Sequence, residues 1–562
     1  MLVLGIHDGT HDAGAALTRD GRVLVACNEE RFSRHKGQGG WPAAAIAACL
    51  RDVDPDAVDR VVYAGFTNPN PVLRAVRPLQ RRFRLDDGGF YQEDPSRWQK
   101  VTQWLQFESP FPRLRAEDAS VRAFSPLLTR VLARHARREG LHGRVTVLDH
   151  HLCHAAGAFH TSGWEEALVV VADGVGDGLA CTVWRGGPTG LTRVHALAYP
   201  HSYGLFYATV TGFLGFRPFR HEGKLVGLAA LGDADAVDVP WPFEGASPDR
   251  RYAWGFGARA RPYLDRLRAY RREDVCAWLQ RGVERDLCAL VDWASAHTGL
   301  RRLVLAGGVF ANVRLNQRIG ARVDALSVFP HMGDGGLAVG AALALDPPRE
   351  PARLDDVFLG PAYAEAELQA ALDGAGARWS RVQDLAGEVA GRLARGQIVA
   401  RFEGRSEFGP RALGNRSILA SAENRAMTDR LNLALDRSDF MPFAPLLLEE
   451  DAPDWVEGVD RVREAARFMT VTVQAKPAFA AACPAAVHVD GSLRPQLVSA
   501  QTTPGLHATL AAYRRLTGRP ALINTSFNLH EEPIVESPAQ AIATWRAARI
   551  DALVLGPFLA TP

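Results

Sequence analysis

The sequence predicts an α/β protein built as two successive units. Strand-period and helix-period apolar runs alternate along the chain. A unit of strand, acidic loop, strand and hairpin occurs twice in the first 350 or so residues, and Pro347, Pro348 and Pro351, set among charges, interrupt the pattern before it resumes. Composition agrees. At roughly 150 residues per domain, 562 residues allow three or four folding units, and 47% hydrophobic with 23% charged residues supports a buried core, excluding a disordered tail, a coiled coil or a collagen-like rod. A net charge of +2 excludes a protein made mainly to coat nucleic acid or an anionic membrane. The seven cysteines are scattered without a C-x-x-C pair, which argues against a disulfide framework or zinc ribbon and for a reducing compartment. The chain opens without a basic n-region or an apolar h-region, and runs such as Ala167 to Ala172 are too short to span a bilayer. The expectation is a soluble cytoplasmic protein with no membrane or nucleic-acid partner.

Taken in order, the first strand runs from Leu2 to Ile6, followed by a Gly/Asp loop, a strand from Ala13 to Leu17, an Asp20-Gly21 turn and a strand from Arg22 to Cys27. A helix from about Trp41 to Leu50 and a strand from Val61 to Ala64 follow. The segment between Phe66 and Arg144, rich in arginine and carrying Trp98 and Trp104, reads as an inserted, mostly helical stretch whose arginines line a solvated face. The pattern then returns: strand Ala167 to Ala172, an Asp173-Gly174 loop, strand Leu179 to Trp184 and a Gly186-Gly187 turn. Later come a strand from Leu303 to Ala306, a helix from about Phe310 and the turn Gly333-Asp334-Gly335-Gly336 opening a helix. A duplicated unit of this type suggests the actin-like ATPase architecture, in which loops of two similar halves bring backbone N–H groups and carboxylates to phosphates and metal. After the prolines a second α/β run comprises a helix from Val382 to Leu393, a strand from Gln397 to Phe402, a Gly/Arg loop, a helix from about Glu423 to Leu435, a strand from Ala521 to Ile523, a helix from Pro538 to Ala547 and a strand from Ala552 to Leu555. The two units are placed at 1–350 and 351–562.

Several side chains could carry chemistry. His150 and His154 stand four apart at the start of a small-residue helix, which puts both imidazoles on one face, as two ligands of a divalent ion require. The pair alone reads equally as capping or core histidines, and without H-E-x-x-H it does not indicate a zinc peptidase. The loop carboxylates Asp173 and Asp334 strengthen the metal reading, since two histidines with carboxylates form a non-haem Fe(II)-like or Zn-like set. In the first loop His11, beside Asp12, is a general-base candidate, with turn chemistry as the other reading. Gly307-Gly308 followed by Asn312 opens a helix after a strand and could present N–H groups to a nucleotide, or serve strand–helix packing. In the second unit the loop from Glu407 to Ser417 gathers Arg411, Asn415 and Arg416, and Arg494 and Asn524 add further donors suited to a phosphate-bearing ligand. Against 61 arginines only four lysines occur, and Lys36 and Lys224 fall inside these signals as candidate acceptor contacts.

The combination resembles the NodU/CmcH-type O-carbamoyltransferases, which include tobramycin, cephem and nodulation-factor carbamoyltransferases. The matching words are His11-Asp12-Ala, Glu29-Glu30-Arg31-Phe32-Ser33-Arg34, His150-x-x-x-His154, Asp173-Gly174, Ser202-x-Gly204-x-x-Tyr207, Gly307-Gly308, Gly333-Asp334-x-Gly336, Glu407-x-Gly409-Pro-Arg411-Ala-Leu-Gly-Asn415-Arg416-Ser417, Pro442-Phe-Ala-Pro445 and Asn524-Thr-Ser-Phe-Asn528. The resemblance implies an N-terminal actin-like (ASKHA, Kae1-like) duplicated domain and a C-terminal YrdC-like α/β domain. It implies formation of carbamoyl adenylate from carbamoyl phosphate and ATP (with Mg) in the second domain, and carbamoyl transfer to a hydroxyl of a small-molecule acceptor in the first. By motif, His150, His154, Asp173 and Asp334 would hold a divalent metal, expected to be Fe(II). His11 and Asp12 would assist deprotonation of the acceptor, Ser202, Gly308 and Asn312 would contact the adenylate, and Arg411, Arg416, Arg494 and Asn524 would hold ATP or carbamoyl phosphate. A homodimer is compatible with it. The chain departs from the family pattern at Leu435, Ser438 and Met441, where lysine, glutamate and arginine are usual, so a homologue with an altered donor is one alternative. A transferase of the tRNA threonylcarbamoyladenosine type is the other.

Overall fold

In the computed structural model the described residues are 1–67, 70–76, 113–256, 259–436 and 442–562. They fall into two compact units, Met1–Leu354 and Asp355–Pro562. The expectations attached to Trp98, Trp104, Ser438 and Met441 lie outside the described residues.

The N-terminal unit contains two five-stranded mixed sheets with one plan. In the first, β1 (Leu2–His7), β2 (Gly14–Arg19), β3 (Arg22–Asn28), β4 (Arg60–Ala64) and β5 (Arg144–Leu148) lie in the order β3-β2-β1-β4-β5. In the second, β6 (Ala167–Gly176), β7 (Leu179–Gly187), β8 (Gly190–Ala198), β9 (Arg302–Ala306) and β10 (Ala325–Val328) lie in the order β8-β7-β6-β9-β10. Each sheet has three antiparallel strands followed by two parallel ones. Near-continuous apolar runs such as Leu168 to Val171 are fully buried, as strands covered on both faces must be. Asp20-Gly21 and Asp177-Gly178 both have positive φ, the backbone a two-residue hairpin turn demands. The second turn lies later than the expected Asp173-Gly174 loop. β6 runs on to Gly176 through a register shift between Ala172 and Gly176, so Asp173 is presented by an irregular strand end instead of a loop. Such irregularities re-aim side chains.

Two helices hold the halves of this unit together. α1 (His150–His160) leaves β5 of the first sheet and packs on β6 and β9 of the second, whereas α5 (Leu337–Leu345) leaves β10 and packs on β1. Between them stand α2 (Tyr203–Phe213), α3 (Arg272–Thr298) and α4 (Val313–Gly320). Small residues permit the close approach of α1 and α5: a Cβ on Gly157 would lie 3.2 Å from the Cα of Gly340, and one on Gly340 would lie 1.9 Å from the carbonyl oxygen of Cys153.

The C-terminal unit is organised on an eight-stranded mixed sheet. Its strands are β11 (Arg378–Arg381), β12 (Val399–Phe402), β13 (Arg416–Ser421), β14 (Ala444–Leu448), β15 (Gln496–Val498), β16 (Ala521–Ser526), β17 (Ala552–Leu555) and β18 (Phe558–Thr561), in the order β11-β18-β17-β12-β13-β16-β14-β15. α6 (Glu365–Gly374), α7 (Leu385–Ala394), α8 (Arg425–Ala434), α9 (Pro504–Thr517) and α10 (Pro538–Ala547) accompany it. Val389 and Leu393 of α7 and Leu506, Leu510 and Tyr513 of α9 cover Val399, Leu419, Leu446, Leu522 and Val554. The Gly/Arg loop expected to run to Ser417 ends two residues earlier, at Asn415, since Arg416 and Ser417 begin β13 and pair with β12.

Candidate active site and metal centre

Asp149 starts the site. Its carboxylate accepts the N–H of Leu152 at 2.7 Å and caps α1, which fixes His150 and His154 on one helix face. Asp177, fully buried at the tip of the β6–β7 turn, accepts the N–H of His150 at 2.9 Å together with those of Phe66 and Thr67, so one carboxylate ties the end of β4 to the first turn of α1. Gly176 lies against the His150 ring, where a Cβ would overlap it.

Opposite these imidazoles stand Asp173 and Asp334. His150 Nε2 lies 3.1 Å from Asp173 Oδ2 and 3.6 Å from Asp334 Oδ1, while His154 Nε2 lies 3.8 Å and 3.5 Å from the same two oxygens. One donor atom from each residue falls within 4.8 Å of every other. Two ligands about 2.1 Å from an ion at the tetrahedral angle would stand about 3.4 Å apart, close to the four histidine–aspartate separations of 3.1–3.8 Å, so each of these pairs could share a divalent cation. His154 Nε2 is buried without a hydrogen-bond partner among the described residues. Its distances are long for hydrogen bonds and ordinary for one coordination sphere.

The electrostatics fit the same reading. Burial alone would depress His150, but Asp334 and hydrogen-bonded Asp173 outweigh it and lift the imidazole to about 10. Burial opposes ionisation of Asp173, yet His150 and His154 hold its carboxyl well below the usual range. The carboxylates thus favour positive charge at this point, which a divalent ion would supply on displacing the protons. His151, on the same turn, is structural: it bonds Thr182 and the Leu179 carbonyl, and burial takes it down to about 3.

Asp173 is held from behind. Gly308 N–H donates to its Oδ1 at 3.2 Å, and the fully buried Ser202 hydroxyl donates to its main-chain oxygen at 3.0 Å while accepting the N–H of Leu205 to cap α2. Ser202 and Gly308, expected at an adenylate, therefore both position a metal-ligand candidate. Asn312 caps α4 and exchanges two amide hydrogen bonds with Gln280, which also accepts from the Tyr207 hydroxyl. Its polar atoms serve that network.

On the other side of Asp334 is the first loop. His11 Nε2 lies 3.7 Å from Asp334 Oδ2, and His11 Nδ1 is 3.0 Å from Asp12 Oδ2, an arrangement that turns Nε2 towards the centre. Burial disfavours the charged ring, but Asp12 and Asp334 prevail and raise His11 to about 9. The word Glu29-Glu30-Arg31-Phe32-Ser33-Arg34 builds the wall of this loop. Glu29 accepts the N–H groups of Ala44 and Ala45 at the next helix, and Glu30 accepts that of Gly37. Arg220 donates to the carbonyl of Lys36, which joins the Lys36 segment to the turn before the helix Glu222–Leu228 that carries Lys224.

In the C-terminal unit Glu407 organises the arginine loop: its Oε1 accepts the N–H groups of Leu413, Asn415 and Arg416 at 2.8, 2.9 and 3.1 Å. Arg416 is fully buried, donates to the carbonyls of Glu403, Asn415 and Gly404, and stacks 3.6 Å from the Phe402 ring centroid. Asn524 is also buried and donates to the Ala412 carbonyl and Gln496, which in turn donates to the Leu413 carbonyl. Donors of both residues, expected at a phosphate, bond to their own chain where strand pairing buries them. Arg411 and Arg494 are half-buried and border Ala412 and Gln496. Leu435, where the family pattern has lysine, is fully buried at the end of α8 and its carbonyl accepts the N–H of His530.

Comparison with known proteins decides the family. A family model described as Carbamoyltransferase N-terminus matches residues 2–240 and 258–343, and one described as Carbamoyltransferase C-terminus matches 390–561. The chain belongs to the carbamoyltransferase family. This carbamoyltransferase is 32% identical to nodulation protein NolNO of Sinorhizobium fredii over 98% of this chain and 78% of that protein. It is 37% identical to nodulation protein NolO of Bradyrhizobium diazoefficiens over 73% of this chain and 78% of that one. It is also 31% identical to the uncharacterized protein sll1178 of Synechocystis over 99% of this chain and 96% of the relative. The enzyme is thus a transferase of carbamoyl groups, and no described helix is long and apolar enough to cross a membrane.

The sequence pointed to His150, His154, Asp173 and Asp334, which the structure brings together. It did not single out His7, His331, Asn28 or Asp177. His7 stands four residues before His11, the spacing of the His150–His154 pair, and that echo was the available signal. Asp177-Gly178 was a legible hairpin dipeptide, but nothing local reveals that its carboxylate reaches Phe66. His331 bonds Asn28 at 2.9 Å, a contact between residues 303 apart that no local pattern carries.

Proposed function

We propose that the enzyme is an ATP-dependent O-carbamoyltransferase acting on a hydroxyl of a small-molecule acceptor. The convergence of His150, His154, Asp173 and Asp334, with donor atoms within 4.8 Å of one another, carries the reading, and the matched plan of the two N-terminal sheets supports the actin-like, Kae1-like assignment of residues 1–350. Residues 351–562 are the YrdC-like adenylating part. There water hydrolyses carbamoyl phosphate to carbamate and phosphate, a carbamate oxygen attacks the α-phosphorus of ATP, and pyrophosphate leaves. In the N-terminal unit the acceptor oxygen attacks the carbamoyl carbon and AMP departs. Adenylation supplies the leaving group that an unactivated carbamate lacks, and a mixed anhydride of this kind demands shelter from water. Arg411 of the Glu407-pinned loop and Arg494, both half-buried, bind the phosphates, Gly308 orients Asp173, and His11 with Asp12 assists deprotonation of the acceptor. His150, His154, Asp173 and Asp334 would hold a divalent ion, Fe(II) by the family resemblance, whose chemistry when bound is to polarise the carbonyl or lower the acceptor's pKa.

The test separates the two half-reactions. His154→Ala is expected to lose bound metal and carbamoyl transfer while pyrophosphate release dependent on carbamoyl phosphate persists. Arg411→Ala is expected to stop pyrophosphate release with metal content intact. Loss of pyrophosphate release in a folded His154→Ala protein would overturn the division, as would normal adenylate formation by Arg411→Ala.

A further inference from the structure

His7 closes β1 and is 1% exposed, yet neither ring nitrogen has a hydrogen-bond partner among the described residues. Buried imidazole nitrogens are almost always satisfied, and an orphaned pair requires an explanation. The surroundings offer one. His7 Nε2 lies 3.9 Å from Asp334 Oδ2, the carboxylate oxygen that faces away from His150 and His154. His11 Nε2 lies 3.7 Å from that same oxygen, with its other nitrogen held by Asp12. A carboxylate on one imidazole nitrogen is the arrangement that orients the opposite nitrogen of a metal-ligating histidine.

Two ligands of one ion at about 2.1 Å each stand at most about 4.2 Å apart. Both imidazoles meet that limit relative to Asp334 Oδ2. We propose a second cation position on the Oδ2 edge of Asp334, taken by a divalent first-row transition ion with His7 and His11 as its nitrogen ligands. Asp334 then bridges two ions, Oδ1 towards His150, His154 and Asp173 and Oδ2 towards His7 and His11. A mixed imidazole and carboxylate set selects such ions over Mg and Ca, and paired ions about 3.5–4 Å apart are a known way of serving two oxygens of one reaction. The inference rests on the metal reading of the first position and changes one element of it: His11 assists as a ligand instead of taking the proton itself.

Full-length protein stripped with chelator and reloaded with Mn(II) alone tests this by elemental analysis and electron paramagnetic resonance. The expected result is about two equivalents per chain with a spin-coupled signal, falling to one uncoupled equivalent in His7→Asn. One equivalent in both proteins would overturn the second position and leave the first standing, whereas none in either would overturn both. Two equivalents in folded His7→Asn would also overturn it, by removing His7 as a ligand. Where His7→Asn fails to fold, the wild-type signal decides: two uncoupled Mn(II) ions refute the bridge, and a coupled pair that His11→Gln reduces to one ion supports it.

Discussion

Adding one methyl group between two helices should disable the proposed metal centre without touching a candidate ligand. Gly340 of α5 faces Cys153 of α1, and a Cβ there would lie 1.9 Å from the Cys153 carbonyl oxygen, 2.7 Å from its carbon and 3.3 Å from its Cα. An ordinary carbon–oxygen contact is about 3.3 Å or longer, so α1 must retreat by about 1.4 Å. The obstruction is backbone and no rotamer change relieves it. Cys153 sits between His150 and His154, so both ligands move with it, and a metal site tolerates only about 0.2 Å. Overpacking of this kind costs about 1–3 kcal/mol, and loss of support around a ligand typically lowers metal affinity about 10–100-fold. Gly374, at the end of α6 with nothing within 4 Å of its added Cβ, is the control: alanine there should stabilise by about 0.5–1 kcal/mol through lost backbone freedom in the unfolded chain. Urea midpoints and Mn(II) titrations of the two variants give the readout. Gly340→Ala with an unchanged midpoint and wild-type metal affinity would refute the close-packed relation between the helices.

Three further outcomes follow from the same structure. Arg416→Met should destabilise the protein by about 2–4 kcal/mol by leaving the Glu403, Asn415 and Gly404 carbonyls without their donor; unchanged urea stability with a raised KM for ATP would return Arg416 to ligand binding. Burial pushes the Glu222 carboxyl up to about 7. A carboxyl raised in the folded state favours folding below its unfolded pKa of about 4.5 and weakens it as pH rises towards 7, so Glu222→Gln should gain about 1–2 kcal/mol at pH 8 and nothing at pH 4, and an equal effect at both values would contradict the assignment. Asp8 and Arg74 form a buried pair at 2.9 Å; Arg74→Met alone should cost about 3–5 kcal/mol by stranding a carboxylate, and Asp8→Asn added to it should restore most of the loss in a double-mutant cycle.

Which features were legible in the sequence follows from how local their causes are. Helix spacing sufficed to put His150 and His154 on one face, and Asp20-Gly21 and the Gly333 to Gly336 turn were readable because turn backbone restricts residue type. The helix expected from Trp41 to Leu50 is Ala43–Cys49, because Glu29, remote in sequence, supplies its N-terminal acceptors. The strands Ala444–Leu448 and Gln496–Val498 went unread, being short apolar runs that become strands only through pairing with each other and with Ala521–Ser526. In the arginine loop Arg416 carries the signature of a phosphate ligand, but which of its donors turn to the main chain depends on β12 and β13 pairing over it, which no local pattern records.

The two sheets of the N-terminal unit explain why, among the described residues, the second half supplies both carboxylates of the candidate metal site. Parallel pairing with the neighbouring strand begins at Val3 in one sheet and at Leu168 in the other, and five residues further on stand Asp8 and Asp173. The same architecture thus delivers a carboxylate at the same point twice. In the first half Arg74 occupies it, neutralising a charge that burial would otherwise make costly. In the second half the facing groups are His150 and His154, which α1 carries across from the first sheet. The first half therefore gives its helix to the centre and silences its own aspartate, and the second contributes Asp173 and, through the turn ahead of α5, Asp334. A duplicated scaffold supplies equivalent positions, and the partner that each buried charge meets determines which of them can take a cation.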